Sequence, residues 1–191
     1  MRRSRSRSSS PPKNLSADSG WRLKRATAAD AAALSLVASA CFLETFAGLL
    51  EGPDIVAHCA KANHQDAFRA WVEDTDSRVV VAEIASGGAP IGYSLLTMPD
   101  LPAVETQADD IELRRIYTLS RAHGTGLGPA LMAQALLDAR AMGRKRVLLG
   151  VYAGNDRARA FYQKQGFVKV GERRYQVGAT LCDDAIYALA L

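Results

Sequence analysis

The sequence predicts one α/β (α+β) domain, and three observations carry that reading. Two strand-like runs flank Ser86-Gly87-Gly88-Ala89-Pro90, the pattern of an antiparallel hairpin. A strand, a glycine-rich turn and an apolar-striped helix then follow one another over residues 111–142. A further strand, a short helix and two closing strands occupy residues 146–190. Length and composition agree: 191 residues suffice for one domain with a sizeable core, and 48% hydrophobic with 23% charged residues is ordinary for a globular chain.

Residues 1–19 are rich in Arg, Ser and Pro and hold too little apolar surface to order themselves. A disordered basic tail is therefore expected, with the folded unit spanning 20–191. Trp21-Arg22-Leu23-Lys24-Arg25 begins with the alternation of a half-exposed strand. Thr27 or Asp30 is placed to cap a helix over 31–47, where Leu34, Val37, Ala38, Cys41 and Phe42 recur at helical spacing. Glu51-Gly52-Pro53-Asp54 breaks that helix, and Asp54 is placed to cap one further helix over about 54–73. The hairpin strands are 79–84 and 91–97, and a loop rich in Pro, Asp and Glu follows near 99–110. Arg114 and Arg115 inside the strand 111–119 argue against burial on both of its faces. Pro129 suits the first turn of the next helix, Leu131, Met132, Ala135, Leu136, Ala139 and Met142 form its stripe, and Gly143 ends it. A strand over 146–152, a short helix over 156–165 and strands near 167–175 and 182–190, turning at Val177-Gly178-Ala179, complete the chain.

Charge and cysteine usage narrow the function classes. Net charge is +4, but four arginines fall within residues 2–7, which leaves a nearly neutral body. That body lacks the concentrated basic face that nucleic-acid binding requires, so no nucleic-acid partner is expected. No apolar run approaches the roughly 20 residues that cross a bilayer, so no membrane association is expected. Cys41, Cys59 and Cys182 are odd in number, widely spaced and free of metal-ligand spacing. Neither a metal site nor a disulfide framework is expected, and three buried thiols in a reducing cytoplasm are the simplest reading. The cationic start has no apolar core behind it, unlike a secretory signal; its likeness to an organelle transit peptide lacks the amphipathic pattern. The oligomeric state is open, a homodimer included.

The turn His123-Gly124-Thr125-Gly126-Leu127-Gly128 lies between a strand and a helix. The first amides of a helix have no intrahelical acceptor, and the macrodipole adds partial positive charge there. Glycines let a large anion approach that backbone, so the turn can bind a pyrophosphate; a tight connection without a ligand is the alternative. Gly128-Pro129-Ala130 excludes a P-loop, which needs Gly-Lys-Ser/Thr at this point. The turn also comes too late in the chain, after a hairpin, for a dinucleotide fingerprint.

At this turn the chain resembles the GNAT superfamily of N-acetyltransferases, whose motif is Gln/Arg-x-x-Gly-x-Gly/Ala. Gly126 and Gly128 match it, and His123 departs from Gln/Arg. Gly150-Val151-Tyr152 followed by Asn155-x-x-Ala158-x-x-Phe161-Tyr162-x-x-x-Gly166-Phe167 resembles the family's next motif, in the same order and at the expected distance. The resemblance implies a mixed, mostly antiparallel sheet with helices on both faces and a splayed strand pair that holds acyl-CoA. It implies acetyl-CoA as co-substrate, with backbone groups near Ile116, Tyr117, Thr118 and Leu119 pairing with the pantetheine. Amides of Gly124, Thr125, Gly126, Leu127 and Gly128 would surround the pyrophosphate; Pro129 adjoins them without an N–H, and Asn155 would contact the pantetheine while capping its helix. Phe42-x-Glu44-Thr45-Phe46 and Glu112-Leu113-Arg114-Arg115-Ile116-Tyr117 look similar to the branch containing polyamine acetyltransferases.

The implied reaction moves an acetyl group directly to a primary amine. A small amine, with a polyamine first, is the expected acceptor; a protein N-terminus or lysine, and a non-catalytic acyl-CoA-binding module, are the alternatives. An alkylamine with a pKa of about 10.4 must lose a proton before it attacks. Glu112 falls where the family's histone-acetylating branch has its base; a solvated carboxylate or a partner for Arg114 is the other reading. Tyr162 matches the family's general acid for the departing thiolate, against a purely packed aromatic. Glu44, Glu51 and Asp54 are further acids that could face a cationic acceptor, though a solvated helix face and a cap are the simpler reading. His58 and His64 read as solvated or core histidines.

Overall fold

The computed structural model describes residues 20–191, so the expected tail over 1–19 lies outside the described residues. Seven strands pair into one sheet: β1 (Trp21–Arg25), β2 (Arg78–Ile84), β3 (Pro90–Thr97), β4 (Asp110–Thr118), β5 (Arg146–Tyr152), β6 (Val168–Val177) and β7 (Thr180–Ala190). Their order across the sheet is β1-β2-β3-β4-β5-β7-β6. Every pairing is antiparallel except β4 with β5.

That parallel pair is short. Asp110, Ile111 and Glu112 lie opposite Arg146, Val147 and Leu148; beyond them the strands run on to Thr118 and Tyr152 without pairing to each other. A bulge also re-aims β4: Leu95 pairs with Arg115 and Leu96 with Leu113, which leaves Arg114 as the extra residue. Because side chains alternate along a strand, the extra residue puts Glu112 and Arg115 on one face, and Leu113 and Ile116 on the other.

Helices cover both faces, as the resemblance implies. They are α1 (Ala31–Phe46), α2 (Gly52–Ala62), α3 (Gln65–Glu73), α4 (Leu127–Ala141) and α5 (Asp156–Lys164). Leu34, Val37, Ala38 and Cys41 of α1 and Phe68 of α3 pack against Val79, Val81, Tyr93 and Leu95. On the opposite face, Met132, Ala135 and Ala139 of α4 meet Leu96, Ile111 and Leu113, and Tyr162 of α5 joins the same cluster. Each fully buried Leu or Phe contributes about 1.5–3 kcal/mol through removal from water. Ala28–Phe46, which is α1 with its preceding turn, is 19 residues and is long and apolar enough by length and composition to cross a membrane. The contiguous-run criterion missed it because Asp30 and Glu44 interrupt the run. Its buried face is the one that packs on the sheet.

Three elements differ from expectation. The single helix expected over 54–73 is two, because His64 adopts an extended conformation and its Nδ1 accepts the Asp66 amide at 3.3 Å, starting a new helix. Gly52 and Pro53 stand between α1 and α2 as expected, but they also open α2, since Pro fits a first turn where its missing N–H costs nothing. Asp54 therefore sits inside α2, and its carboxylate accepts from the Ala179 amide at 2.8 Å, the Thr180 amide at 3.0 Å and the Thr180 hydroxyl at 2.6 Å. This anchors the β6–β7 turn, where Gly178 has φ +56° and a Cβ would collide with that carboxylate. The thiols differ too: Cys41 and Cys182 are buried, whereas Cys59 is half-buried.

Candidate active site

Where β4 and β5 part, a cavity of about 1280 Å³ opens. Unpaired strand backbone in a protein interior needs partners, so the parted edges are suited to an extended polar chain. Ile116, Tyr117 and Thr118 line this cavity from β4, and Gly150, Val151 and Tyr152 line it from β5. Leu119 takes no part in the wall: its amide donates to the Ile91 carbonyl at 2.9 Å, and its carbonyl accepts from Ala122 at 2.9 Å.

The glycine turn closes one end. His123, Gly124, Gly126, Gly128 and Pro129 line the cavity there. Gly124 and Gly126 have φ of +80° and +84°, which side-chain-bearing residues rarely adopt. Gly126 is the N-cap of α4, so the first amides of that helix have no intrahelical acceptor. One residue expected to surround an anion is otherwise engaged: the Thr125 amide and hydroxyl both donate to the Ala122 carbonyl, at 3.4 and 2.7 Å. Leu127 buries its side chain at the first position of α4, where its expected contact is through the amide. Gly128 serves packing as well, since a Cβ there would lie 3.9 Å from Phe161 of α5. His123 is held below its ordinary pKa by burial and by Arg157, against a Thr118 backbone bond and Glu44, and is therefore neutral at pH 7. Glu44 braces this end, accepting from the Ser120 amide at 2.7 Å and its hydroxyl at 3.2 Å.

Tyr162, Asn155 and Glu112 line the same cavity. Asn155 caps α5 as expected, accepting the Ala158 amide at 3.0 Å. Tyr162 is 8% exposed, and burial pushes its phenol well above the usual range, so it stays protonated. Glu112 is 3% exposed and accepts from the Asp100 amide at 2.9 Å and from Arg114 at 3.2 Å. It is a buried carboxylate partnered by Arg114 that also borders the cavity, so it is not the solvated carboxylate that one sequence reading allowed.

The far end is built from side chains to which sequence reasoning gave no part in the site. Arg115 reaches across to α2 and α3, donating to Asn63 Oδ1 at 2.9 Å with its guanidinium 4.8 Å from the Trp71 ring. Arg173 of β6 pairs with Asp184 of β7 at 3.2 Å and lies over the Tyr175 ring at 4.8 Å. The absence of a side chain at Gly150 admits this arginine, because a Cβ there would come 2.7 Å from its guanidinium. Burial raises the pKa of Asp184 against the opposing pull of Arg173. His58 stacks on Phe42 with centroids 4.0 Å apart and is pushed down to about 4, by burial and by Arg115, so it is a neutral wall. Among the described residues no group of three or more His, Cys, Asp or Glu could hold a metal ion.

The comparisons with known proteins match this arrangement. The model of the acetyltransferase (GNAT) family matches residues 43–167, which contain β4, the glycine turn, α4, β5 and α5. An uncharacterized N-acetyltransferase of Mycobacterium tuberculosis is 36% identical over 128 residues, 66% of this chain and 76% of the relative. The PaiA N-acetyltransferase of Thermoplasma acidophilum, solved in complex with coenzyme A, superposes with a TM-score of 0.72 at 19% identity, over 90% of this chain and 99% of that one. The ribosomal-protein-S18-alanine N-acetyltransferase of Escherichia coli gives 0.64 at 17% identity, over 89% and 93%. At these identities the solved structures speak for the fold, while the family model and the mycobacterial relative speak for descent. The chain belongs to the acetyltransferase (GNAT) family.

Proposed function

We propose that this acetyltransferase moves an acetyl group from acetyl-CoA directly to a primary amine, a small amine in preference to a protein. The observation that carries the reading is the single cavity joining the glycine turn, the parted β4 and β5 edges, Tyr162 and Glu112. Coenzyme A in the related PaiA structure supports the same use of the fold. In this reading the α4 N-terminus and the turn hold the pyrophosphate, and Ile116 to Thr118 offer backbone groups to the pantetheine. Glu112 takes the proton of the ammonium, directly or through water, and Tyr162 protonates the departing thiolate. A phenol kept neutral by burial suits that second role.

A polyamine is the finer expectation, and the structure leaves it little support. Of the acids that motivated it, Asp54 is bound to the β6–β7 turn, Glu44 to Ser120 and Glu112 to Arg114, while Glu51 stands at the start of α2 outside the cavity lining. The acceptor class is therefore kept at a small primary amine. Thiol release from acetyl-CoA in the presence of spermidine, a monoamine of similar length and a short peptide tests the proposal. Release with a small amine is expected. Preference for the peptide would reject the small-amine reading, and no release with any amine from a protein that binds acetyl-CoA would reject amine acetylation.

A further inference from the structure

The acceptor end of the cavity holds more positive charge than its carboxylates match. Arg114 is paired with Asp100 and Glu112, each at 3.2 Å, and Arg173 with Asp184 at 3.2 Å. Arg115 is different. Among the described residues its guanidinium meets Asn63 Oδ1, the Trp71 and Phe68 rings at 4.8 and 5.7 Å, and the Tyr93 hydroxyl, all of them neutral. Lys61, in the last turn of α2, lines the same cavity and has no ion-pair partner among the described residues. The fourth carboxylate of the cavity, Glu44, is held at the glycine-turn end by Ser120.

A half-buried guanidinium among neutral groups has lost hydration without gaining a counter-charge. Aromatic faces compensate in part, but the stronger partner for a planar fork of N–H donors is a carboxylate. Asn63 takes one N–H and the Tyr93 hydroxyl another, out of the five that a guanidinium carries. Asn63 is itself 2% exposed at the α2–α3 break, so the arginine is fixed by a buried amide and not by a mobile surface group.

We propose that the acceptor amine also carries a carboxylate, and that Arg115 receives it. The inference rests on the acetyl-transfer reading of this cavity and gives its acceptor a chemical class: a small amino acid with an apolar or aromatic body. Glu112 and Arg115 share one face of β4, and a rise of about 3.3 Å per residue keeps their side chains within roughly 10 Å. Across an α-amino acid the amine lies only about 3 Å from the carboxylate, so the ammonium of one held at Arg115 reaches Glu112 through water, the relay the proposed reaction already allows. Trp71, Phe42 and Tyr175 along the cavity wall suit its body.

The test uses amines matched except for the carboxylate: phenylalanine with phenethylamine, and leucine with 3-methylbutylamine. The carboxylate-bearing member is expected to have the higher kcat/KM by roughly 10- to 100-fold, the range of one charge-assisted hydrogen-bonded pair. In Arg115→Gln that ratio is expected to collapse toward one, and in Arg115→Lys, which keeps the charge and loses the fork, to fall only in part. Equal kcat/KM within each pair, or a preference that persists in Arg115→Gln, would overturn the proposal. So would a weakened acetyl-CoA complex in Arg115→Gln with the ratio unchanged, which would assign the guanidinium to the cofactor. If acetyl-CoA binds but no amine is acetylated, amine acetylation fails separately. Calorimetric binding of phenylalanine to the acetyl-CoA-saturated protein then decides the carboxylate site: binding lost in Arg115→Gln supports it, and no binding by the unmodified protein overturns it.

Discussion

At one end of the cavity an anion would meet the backbone of one short turn, lined by Gly124, Gly126 and Gly128; at the other, an acceptor would meet side chains drawn from α1, α2, α3, β4, β6 and β7. The first end is set by backbone geometry, by glycines at positive φ and by the start of a helix. The second is set by which arginines, carboxylates and rings the tertiary fold brings together. The cofactor end should thus be sensitive to changes of backbone and bulk. The acceptor end should instead respond to side-chain replacement, with acetyl-CoA affinity left unchanged.

Tyr162 lines the cavity that the two ends share, and replacing it is the largest single test of the comparison. Tyr162→Phe keeps the ring in its cluster with Phe167 and Tyr187 and removes only the hydroxyl. A fall in kcat of about 10²–10⁴ is expected, the usual contribution of a general acid or base. Acetyl-CoA affinity, measured by calorimetry, should change little. Unchanged kcat would make the ring a packing element and leave the thiolate to be protonated by water.

The cofactor end alone is probed by Gly128→Glu. Gly126 is a poor place for this test, since its φ of +84° would strain any side chain and confuse folding with binding. Gly128 has no such conformation, and its Cβ would meet Phe161 at an ordinary 3.9 Å. A carboxylate there suits the helix dipole, so the fold should hold while the pyrophosphate is repelled. Acetyl-CoA affinity should fall by at least about 100-fold, the scale of two or three lost charge-assisted contacts. Retained affinity would remove the glycine turn from the cofactor site.

The difference between the ends also explains what could be read from the sequence. The glycine turn, Asn155 and Tyr162 lie in one stretch whose order and spacing carry their meaning, and the structure places them on one cavity. Hairpin β2–β3 was legible for the same local reason. The α2–α3 break was not, because no Gly or Pro marks it and the new start is made by a histidine acting as cap. Arg115 looked like an exposed strand arginine. Its meaning depends on Asn63 and Trp71, which are 52 and 44 residues away in the sequence and come near only through packing. Asp54 likewise read as a cap because its partners, Ala179 and Thr180, are 125 and 126 residues distant.

Glu112 sharpens the comparison from the acceptor side. Glu112→Gln should lower kcat/KM near neutral pH by about 10²-fold if the carboxylate takes the ammonium proton. The deficit should shrink as pH rises toward the amine's own pKa of about 10.4, where the base is no longer needed. A deficit that stays constant with pH, together with a lower melting temperature, would reduce Glu112 to the partner of Arg114 and Asp100.

The smallest effect is expected at Asp54, which touches the acceptor end only through the hairpin it anchors. Its pKa is lowered chiefly by the Thr180 hydroxyl, then by the Ala179 amide, with burial opposing and the Thr180 amide assisting. A carboxyl whose folded pKa is depressed is held more tightly as the anion, so its contribution is complete above the ordinary value of 3.8 and is lost as pH falls through the lower folded value. Asp54→Asn presents an NH₂ where donors converge, which weakens the anchor at neutral pH. The melting temperature of the variant should therefore lie below that of the unmodified protein above pH 3.8, and the gap should close on acidification below it. Acetyl-CoA affinity should not change, because the glycine turn is built without this hairpin. The KM for the acceptor should rise a few-fold, because β6 and β7 carry Arg173, Tyr175 and Asp184 into the cavity. A gap in melting temperature that widened on acidification would show that the carboxylate is not held as the anion, and a change confined to acetyl-CoA affinity would dissolve the separation of the two ends.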